Sequence, residues 1–250
     1  MIDLHGHHVF VGGGSRGIGR ATALMAARAG ADVTVNYLQN GEAAREVVQQ
    51  IELMGRRAVA VQADLTLENA AETALAEATE QLGPLSGLVV AAGIFEGCPI
   101  EEMSLEFWER TLSLNLRSTF LAVRAAVPHL KTSGGSMVIY TSTAGQRGSE
   151  VYSAYATSKG GQILFMRSMA RELAPHRIRV NCVAPGWTET DMSREAMDAF
   201  GREKIIGSIP LKRIGLPDDA AAAACFLLCD LAGFITGSTI TVDGGFDMRG

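Results

Sequence analysis

The sequence predicts an α/β fold, a doubly wound parallel sheet of about seven strands with helices on both faces. Short apolar segments of strand length alternate with longer segments whose apolar residues recur at three- and four-residue spacings. The strand-like segments are apolar at nearly every position, which is typical of strands that are covered on both faces of a parallel sheet. A glycine-rich turn, GGGSRGIG, joins the first strand-like segment to the first helix-like segment.

The elements follow in order along the chain. The predicted strands are residues 7–11, 32–37, 58–62, 87–91, 136–141, 179–183 and 239–242. The predicted helices are residues 17–29, 42–54, 67–82, 105–131, 153–174 and 218–229. No repeat, low-complexity tract or long linker interrupts this alternation, so we predict one domain over residues 1–250. The helical, loosely attached segment 188–210 is predicted to be a lid over a site.

Composition and charge exclude several classes of protein. Of the 250 residues, 47% are hydrophobic and 20% are charged, as in ordinary globular proteins. A net charge of −5 without a basic tail argues against nucleic-acid binding. No segment approaches the roughly 18 consecutive apolar residues of a membrane span. The N-terminus has no signal-peptide pattern, so we expect a cytoplasmic protein.

The four cysteines have no CxxC spacing. Cys225 and Cys229 lie four residues apart on one face of an apolar helix, while Cys98 and Cys182 stand alone. Buried free thiols are the expected state in a reducing compartment. We therefore predict neither a disulfide nor a metal site.

The glycine-rich turn at residues 12–19 is predicted to bind the phosphates of a dinucleotide. Glycines let the backbone approach a pyrophosphate, and the N–H groups at a helix N-terminus stabilise the anion. Such a motif is weak alone, and its position after the first strand of an alternating chain strengthens it. The predicted contacts are Gly13, Ser15, Arg16, Gly17, Ile18 and Gly19.

The residues after the second strand favour NADP(H) over NAD(H). A carboxylate about 20 residues beyond the turn would bind a ribose 2′-hydroxyl and repel a 2′-phosphate. This chain has Tyr37 and Leu38 there, and Arg16 offers a cation for the phosphate. Asp64, after the third strand, is placed to accept a hydrogen bond from an adenine amine, and it can equally cap the helix that follows.

Tyr155 and Lys159 are candidates for acid/base chemistry because they lie one helical turn apart on one face. A free tyrosine has a pKa of about 10, and a nearby cation lowers that pKa by stabilising the phenolate. Ser142 ends the fifth strand and can donate a hydrogen bond to a substrate carbonyl oxygen. Asn115 is a candidate to hold a water that relays protons to Lys159. YxxxK alone occurs by chance in many helices, and its combination with the turn and the serine predicts an active site.

With these motifs the chain resembles the short-chain dehydrogenases/reductases over its whole length. The matching pieces are GGGSRGIG, Asp64, Asn115, Ser142, the YxxxK pair, NCVAPGWTETDM at 181–192 and ITGSTITVDGG at 235–245. The resemblance implies a Rossmann-type fold and a catalytic tetrad of Ser142, Tyr155, Lys159 and Asn115. It also implies that the cofactor is contacted by Tyr37, Asp64, Leu65, Ala92, Gly93, Tyr155, Lys159, Pro185, Gly186, Thr188 and Thr190.

Two positions depart from the family pattern. Gly12 stands where the family usually has Thr, and VAAG at 90–93 stands where it usually has NNAG. The missing asparagines remove side-chain hydrogen bonds that help to tie the fourth strand to its neighbours. We expect a change in local stability and retention of the chemistry.

The resemblance implies hydride transfer between a nicotinamide and a carbonyl carbon, with Tyr155 supplying or removing the proton on oxygen. The chain looks most like bacterial 3-oxoacyl-(acyl carrier protein) reductases, and Lys131 and Arg171 are candidates to contact an acidic carrier protein. Similar chains act on sugars, cyclic alcohols and small ketones, so these substrates stay open. The family also implies a homotetramer that pairs the helices around Asn115 and Tyr155.

The predicted substrate contacts are Phe95, Gln146, Glu150, Tyr152, Trp187 and Met192.

Three other functions fit the sequence less well. A non-catalytic dinucleotide sensor would be expected to lack the tyrosine or the lysine. A nucleotide-sugar epimerase shares YxxxK and would need a further substrate domain. The G-x-S-x-G pattern within the glycine turn also matches a hydrolase, for which His176 is the late histidine candidate and a suitable oxyanion motif is missing.

Overall fold

A computed structural model describes residues 1–248, so the last two residues of the predicted 1–250 domain lie outside the described residues. It contains a seven-stranded sheet in the order β3-β2-β1-β4-β5-β6-β7, in which every neighbouring pair is parallel. The predicted fold class is thereby confirmed. The strands are β1 His8–Gly12, β2 Asp32–Tyr37, β3 Ala58–Gln62, β4 Gly87–Val90, β5 Gly135–Tyr140, β6 Ile178–Pro185 and β7 Thr239–Val242.

The helices depart from the predicted bounds by more than one residue at two places. The helix predicted at 67–82 begins at Ala70, and the single helix predicted at 105–131 is divided by a π-helical segment, Ser113–Arg117. The helices are α1 Gly17–Arg28, α2 Gly41–Leu53, α3 Ala70–Leu82, α4 Leu105–Leu112, α5 Ser118–Leu130, α6 Thr143–Arg147, α7 Ser153–Leu173, α8 Asp191–Phe200, α9 Arg202–Ser208 and α10 Pro217–Leu228.

Two apolar cores cover the two faces of the sheet. Phe10 packs in the core that contains α3, α5 and α7, whereas its neighbours Val9 and Val11 pack in the core that contains α1, α2 and α10. Successive side chains of a strand point to opposite faces, so a strand between two helical layers tends to be apolar at successive positions. This tendency explains the continuous apolar runs in the sequence.

The strand order reverses between β1 and β4, and this position determines where a ligand can bind. From β1 the chain adds β2 and then β3 toward one edge of the sheet. It then returns to place β4 on the other side of β1, and β5, β6 and β7 follow toward the opposite edge. The loops that leave the carboxyl ends of β1 and β4 therefore diverge and open a crevice. The glycine turn follows β1 and enters this crevice.

Residues 188–210 lie between β6 and α10 and contain the two short helices α8 and α9. Arg202, the first residue of α9, ties this helix to the start of the segment and to α8, since its Nη1 is 2.5 Å from the Glu189 carboxylate and its Nε is 2.6 Å from Asp198. Met197 and Ile205 pack with the ring of Trp187, so the segment lies beside the chain that leaves β6. Within residues 1–248, no helix is both long and apolar enough to cross a membrane.

Candidate active site

The turn between β1 and α1 has the geometry of a phosphate cradle. Gly13 has a φ of +75°, and a Cβ there would lie 2.8 Å from the backbone nitrogen of Ala92. A Cβ at Gly19 would overlap the carbonyl oxygen of Gly13. The first turn of α1 has no acidic residue, and the N-cap residue Arg16 makes no side-chain capping bond. The backbone N–H groups in the first turn of α1 are therefore available to an anion. The turn accordingly fits the pyrophosphate of a dinucleotide.

Asn36 holds this turn in place, although the sequence analysis did not select it. Its Oδ1 accepts a hydrogen bond from the Gly13 N–H at 3.3 Å, and its Nδ2 donates to the carbonyls of Val61 and Ala63 at 3.2 Å. The side chain is buried, so the three bonds replace its contacts with water. The available signal was a polar residue between the apolar Val35 and Tyr37 in a strand that follows the glycine turn and its helix.

The two departures from the family pattern lie against this turn. A Cβ at Gly12 would lie 3.0 Å from the Leu65 side chain, so a larger residue there requires Leu65 to move. Ala91 donates its backbone N–H to the Gly12 carbonyl at 2.9 Å, which continues the pairing of β1 and β4 without an asparagine side chain. The small side chains of Ala91 and Ala92 let the turn approach β4 closely.

The residues predicted for the adenosine end of the cofactor have local partners in the structure. Asp64 accepts hydrogen bonds on Oδ1 from both the N–H and the hydroxyl of Thr66, at 2.9 and 2.7 Å. The hydroxyl of Tyr37 lies 3.2 Å from the position of a Cβ on Gly41, at the start of α2. Asp64 therefore caps a local turn, and its contact with an adenine amine stays a prediction.

Ser142, Tyr155 and Lys159 come together at the carboxyl end of β5. Ser142 caps α6, with its Oγ accepting from the Ala144 N–H at 3.1 Å, and its interaction with Tyr155 lowers the pKa of that tyrosine. Tyr155 and Lys159 stand near the start of α7 and are buried. The Lys159 Nζ lies 5.8 Å from the centre of the Tyr155 ring and donates to the Tyr140 carbonyl at 2.8 Å.

Close contacts at two glycines allow α6 and α7 to pack tightly against each other. A Cβ at Gly145 would lie 2.6 Å from the backbone carbonyl carbon of Lys159, and a Cβ at Gly160 would lie 3.1 Å from the Gly145 carbonyl oxygen. Neither position tolerates a side chain without a backbone shift. The two helices therefore pack closely, and Ser142 and Tyr155 line the same cleft.

Burial shifts the pKa of the Tyr155 hydroxyl and the pKa of the Lys159 ammonium. It raises the pKa of Tyr155 to about 12, against the opposing effect of the Ser142 hydrogen bond. It lowers the pKa of Lys159 to about 8, and this effect outweighs the opposing electrostatic interaction with Cys182. The expected lowering of the Tyr155 pKa is wrong, because the loss of water on burial outweighs the effects that favour the phenolate. Tyr155 is accordingly a proton donor at neutral pH.

Replacing Lys159 by methionine is expected to raise the free energy of unfolding at pH 7. The lowered pKa means that the buried ammonium destabilises the fold by up to about 3 kcal/mol, and methionine fills similar space without charge. Between a pKa of about 8 when folded and 10.5 when unfolded, the unfolded chain binds the proton more tightly, so wild-type stability rises with pH.

Urea unfolding at pH 7 and pH 10 measures this effect. The stability difference between the Lys159→Met variant and the wild type should be largest at pH 7 and smaller at pH 10. A variant that is less stable than the wild type at pH 7 would show that the hydrogen bond to Tyr140 outweighs the burial of the charge.

Asn115 lies in the π-helical segment and connects the chain after β4 to α7. Its Oδ1 accepts from the Ile94 N–H at 2.8 Å, and its Nδ2 donates to the Ile94 carbonyl at 3.1 Å and to the Ser158 hydroxyl at 2.9 Å. Its own carbonyl accepts from Gln162 at 2.9 Å. A Cβ at Gly93 would lie 2.7 Å from the Asn115 Oδ1, so Asn115 is next to the cleft and does not line it. Its proton-relay role stays a prediction.

One cleft collects most of the remaining predicted residues, and its volume of about 890 Å³ includes the solvent at its open mouth. It lies at the carboxyl ends of β4, β5 and β6. Gly17 of the glycine turn lies close to it, since a Cβ there would be 3.6 Å from the Thr190 methyl group. Predicted residues that line the cleft are Ile18, Gly93, Ser142, Tyr155, Lys159, Pro185, Gly186, Thr188 and Thr190, together with Phe95, Trp187 and Met192 on the substrate side.

Aromatic rings form the substrate side of the cleft. The Phe95 ring stacks on Tyr152 with a centroid distance of 4.4 Å and meets the edges of Tyr155 at 4.9 Å and Trp187 at 6.2 Å. Phe200 of α8 does not line the cleft but packs on these rings, 5.7 Å from Trp187 and 6.4 Å from Tyr152. The sequence analysis missed Phe200, because only the folded position of α8 brings it to these rings.

Three predicted substrate residues do not line the cleft. Tyr152 lies behind Phe95, Glu150 is exposed, and Gln146 donates a hydrogen bond to the Thr241 hydroxyl at 3.1 Å. Arg147 and Phe246, neither of which was predicted, do line it. The Arg147 guanidinium lies 4.5 Å from the centre of the Phe246 ring.

Comparisons with known proteins agree with this geometry. A family model described as enoyl-(acyl carrier protein) reductase matches residues 13–247. The chain belongs to the short-chain dehydrogenase/reductase family. It superposes on the structure of a short-chain type dehydrogenase/reductase from Mycobacterium ulcerans with a TM-score of 0.93 and 32% identity, over 98% of this chain and 90% of that one.

Curated members of the short-chain dehydrogenase/reductase family differ in their substrates. The chain is 37% identical to an L-rhamnose 1-dehydrogenase (NAD(P)(+)) from Sphingomonas sp., over 98% of both sequences. It is 38% identical to a 3-oxoacyl-(acyl-carrier-protein) reductase from Synechocystis sp., over 99% of this chain and all of that protein. The chain is accordingly a short-chain oxidoreductase, and its family uses NAD(P)(H).

Proposed function

We propose that the protein is an NADP(H)-dependent oxidoreductase that reduces a carbonyl group, or oxidises a secondary alcohol, with Tyr155 as the acid/base. The convergence of Ser142, Tyr155 and Lys159 in a cleft beside the glycine turn supports this proposal. A proton donor, a hydrogen-bond donor for an oxyanion and a cation are what reduction of a carbonyl requires.

Each of the three side chains has a distinct role in the proposed reaction. Ser142 donates a hydrogen bond to the carbonyl oxygen as negative charge develops on it. Tyr155 donates its proton to that oxygen, and the nearby Lys159 ammonium stabilises the resulting phenolate. A nicotinamide cofactor, when bound, supplies the hydride. Because burial raises the pKa of Tyr155 to about 12, the tyrosine is protonated at neutral pH and can donate its proton in the reductive direction.

The proposed preference for NADP(H) rests on Arg16 and on Tyr37. Arg16 stands at the N-cap of α1 with no side-chain capping bond, and Tyr37, rather than a carboxylate, ends β2. A cation near the glycine turn favours a 2′-phosphate, and the missing carboxylate removes its repulsion. Asp64 is the proposed contact for the adenine.

Replacing Arg16 by glutamine is expected to lower kcat/KM for NADPH by about 10- to 100-fold, the effect of losing a charged hydrogen-bond partner. The value for NADH should change far less. Steady-state kinetics with both cofactors measures the ratio. Arg28→Gln, the same change in the last turn of α1, is the control. An equal loss for NADH and NADPH would contradict a role in binding the 2′-phosphate.

A 3-oxoacyl thioester is the favoured substrate, and the Synechocystis relative supports this class. The second candidate is a sugar, cyclic alcohol or small ketone, which the L-rhamnose 1-dehydrogenase relative supports. A spectrophotometric screen of NADPH and NADH oxidation against acyl thioesters, diketones and small ketones tests the first. Cofactor reduction with sugars and cyclic alcohols tests the second. Cofactor binding without turnover of any compound would favour the non-catalytic sensor instead.

We extend the proposal to the organisation of the protein. Residues 1–250 form one domain with 188–210 as its lid, in a cytoplasmic homotetramer built through α5 and α7. The exposed apolar side chains of Phe120 on α5 and Leu164 on α7, 43% and 64% exposed, support this interface. Lys131 and Arg171 are both exposed and remain the proposed contacts for an acidic carrier protein.

A further inference from the structure

The charge of the cleft differs from the charge of the whole protein. The chain carries a net charge of −5, yet the charged residues that line the cleft are both cations, Arg147 and Lys159. Among the residues that the structure describes, no aspartate or glutamate lines it. A cleft with this lining attracts anionic ligands.

Of the two cations, Arg147 is the one available to a substrate. Lys159 is buried, and its ammonium bonds the Tyr140 carbonyl beside the reacting tyrosine. Arg147 is exposed and ends the short helix that begins after Ser142. Its guanidinium lies over the Phe246 ring, which places it next to the C-terminal part of the chain rather than next to the glycine turn. It therefore faces the substrate side of the cleft.

Arg147 has no carboxylate partner in the described part of the chain. None of the ion pairs between residues 1 and 248 includes it. Glu150, three residues further on, is exposed and does not line the cleft. Contact with the face of an aromatic ring restrains a guanidinium plane and leaves its N–H edges open to a planar anion.

We propose that Arg147 binds an anionic group of the substrate, a carboxylate or a phosphate, and that it selects such substrates over their neutral analogues. This inference rests on the proposed carbonyl reduction. It disfavours neutral sugars and simple alcohols, and it favours oxo acids or 3-oxoacyl compounds that carry a phosphate. The anion binds the guanidinium N–H edge while the carbonyl reaches Ser142 and Tyr155.

A different role for Arg147 predicts a different result. Its contact with Phe246 also packs the C-terminal segment against α6. If this packing were its whole contribution, loss of the guanidinium would impair neutral and anionic substrates equally. Matched pairs of substrates therefore separate recognition from packing.

Two matched pairs test the proposal with the full chain and saturating NADPH. The first pair is 4-oxopentanoate and its methyl ester, which differ in a carboxylate. The second is acetoacetyl-phosphopantetheine and acetoacetyl-pantetheine, which differ in a phosphate. We expect wild-type kcat/KM to be higher for the anionic member of at least one pair, and that pair identifies the anion.

Arg147→Gln should lower kcat/KM for the anionic member by about 10- to 100-fold and leave the neutral member within a few-fold of wild type. Arg147→Lys should retain part of the preference for anionic over neutral substrates. Its kinetics also test the proposal if the Arg147→Gln variant does not fold. Arg28→Gln, which makes the same change of charge far from the cleft, is the control.

Equal wild-type kcat/KM within both pairs would overturn the assignment of Arg147 while leaving the proposed function intact. An equal loss for neutral and anionic members in Arg147→Gln would also overturn it, in favour of packing on Phe246. Turnover of no member of either pair would overturn the proposed reduction together with this inference.

Discussion

Replacing Tyr155 by phenylalanine is expected to lower kcat for carbonyl reduction by about 10²- to 10⁴-fold, the usual contribution of a positioned general acid. The substitution removes the hydroxyl and keeps the ring, whose edge contact with Phe95 has a centroid distance of 4.9 Å. NADPH affinity should therefore stay near the wild-type value. Steady-state kinetics together with a fluorescence titration of NADPH measures both quantities.

Tyr152→Phe is the matched control for this experiment. It makes the same chemical change three residues earlier, on a ring that stacks on Phe95 and does not line the cleft. We expect it to alter kcat by only a few-fold. Wild-type turnover in Tyr155→Phe, or equal losses in the two variants, would contradict the assignment of Tyr155 as the acid.

Replacing Gly13 by alanine is expected to weaken cofactor binding strongly and to destabilise the fold. Gly13 has a φ of +75°, and the new Cβ would lie 2.8 Å from the Ala92 nitrogen, so the backbone of the glycine turn must shift. Such a clash costs about 1–3 kcal/mol. Because the turn forms the proposed phosphate cradle, the same shift should raise the NADPH dissociation constant at least tenfold, about 1.4 kcal/mol.

Gly55→Ala separates this clash from backbone strain. Gly55 has nearly the same φ, +77°, and a Cβ there would meet no atom within 4 Å. Its replacement should cost only the strain of a left-handed alanine, of order 1 kcal/mol, and leave NADPH binding unchanged. Urea unfolding and NADPH titration compare the two variants. Equal effects on cofactor affinity would show that the position of Gly13 in the turn has no special importance.

The sheet was predictable from sequence because the apolar character that its strands need is visible in short stretches of the chain. A strand between two helical layers tends to be apolar at successive positions, as Val9, Phe10 and Val11 are in the two cores. The π-helical segment Ser113–Arg117 was not predictable in this way. Within it the buried Asn115 bonds both backbone groups of Ile94, a partner 21 residues away, and helical periodicity does not record such a contact.

The proposed catalytic residues and the residues on the proposed substrate side also differ in how far local sequence patterns could predict them. Tyr155 and Lys159 were found from spacing on one helix, with Ser142 from the end of a strand. Arg147 reaches the cleft beside Phe246, and the two are nearly a hundred positions apart in the chain, so no local pattern connects them. The direction of the Tyr155 pKa shift was also wrongly predicted, because it depends on burial that only the folded structure provides.

Transfer of deuterium from NADPH labelled at C4 to the carbonyl carbon of a substrate tests the proposed reaction most directly. The label is followed in the product alcohol by mass spectrometry and NMR, with acetoacetyl-pantetheine and 4-oxopentanoate as substrates. With NADPH deuterated on both C4 positions, we predict one deuterium on the carbinol carbon in the wild type and greatly reduced product in Tyr155→Phe. An alcohol product without deuterium, or no product from any carbonyl compound in the screen, would contradict Tyr155-dependent hydride transfer.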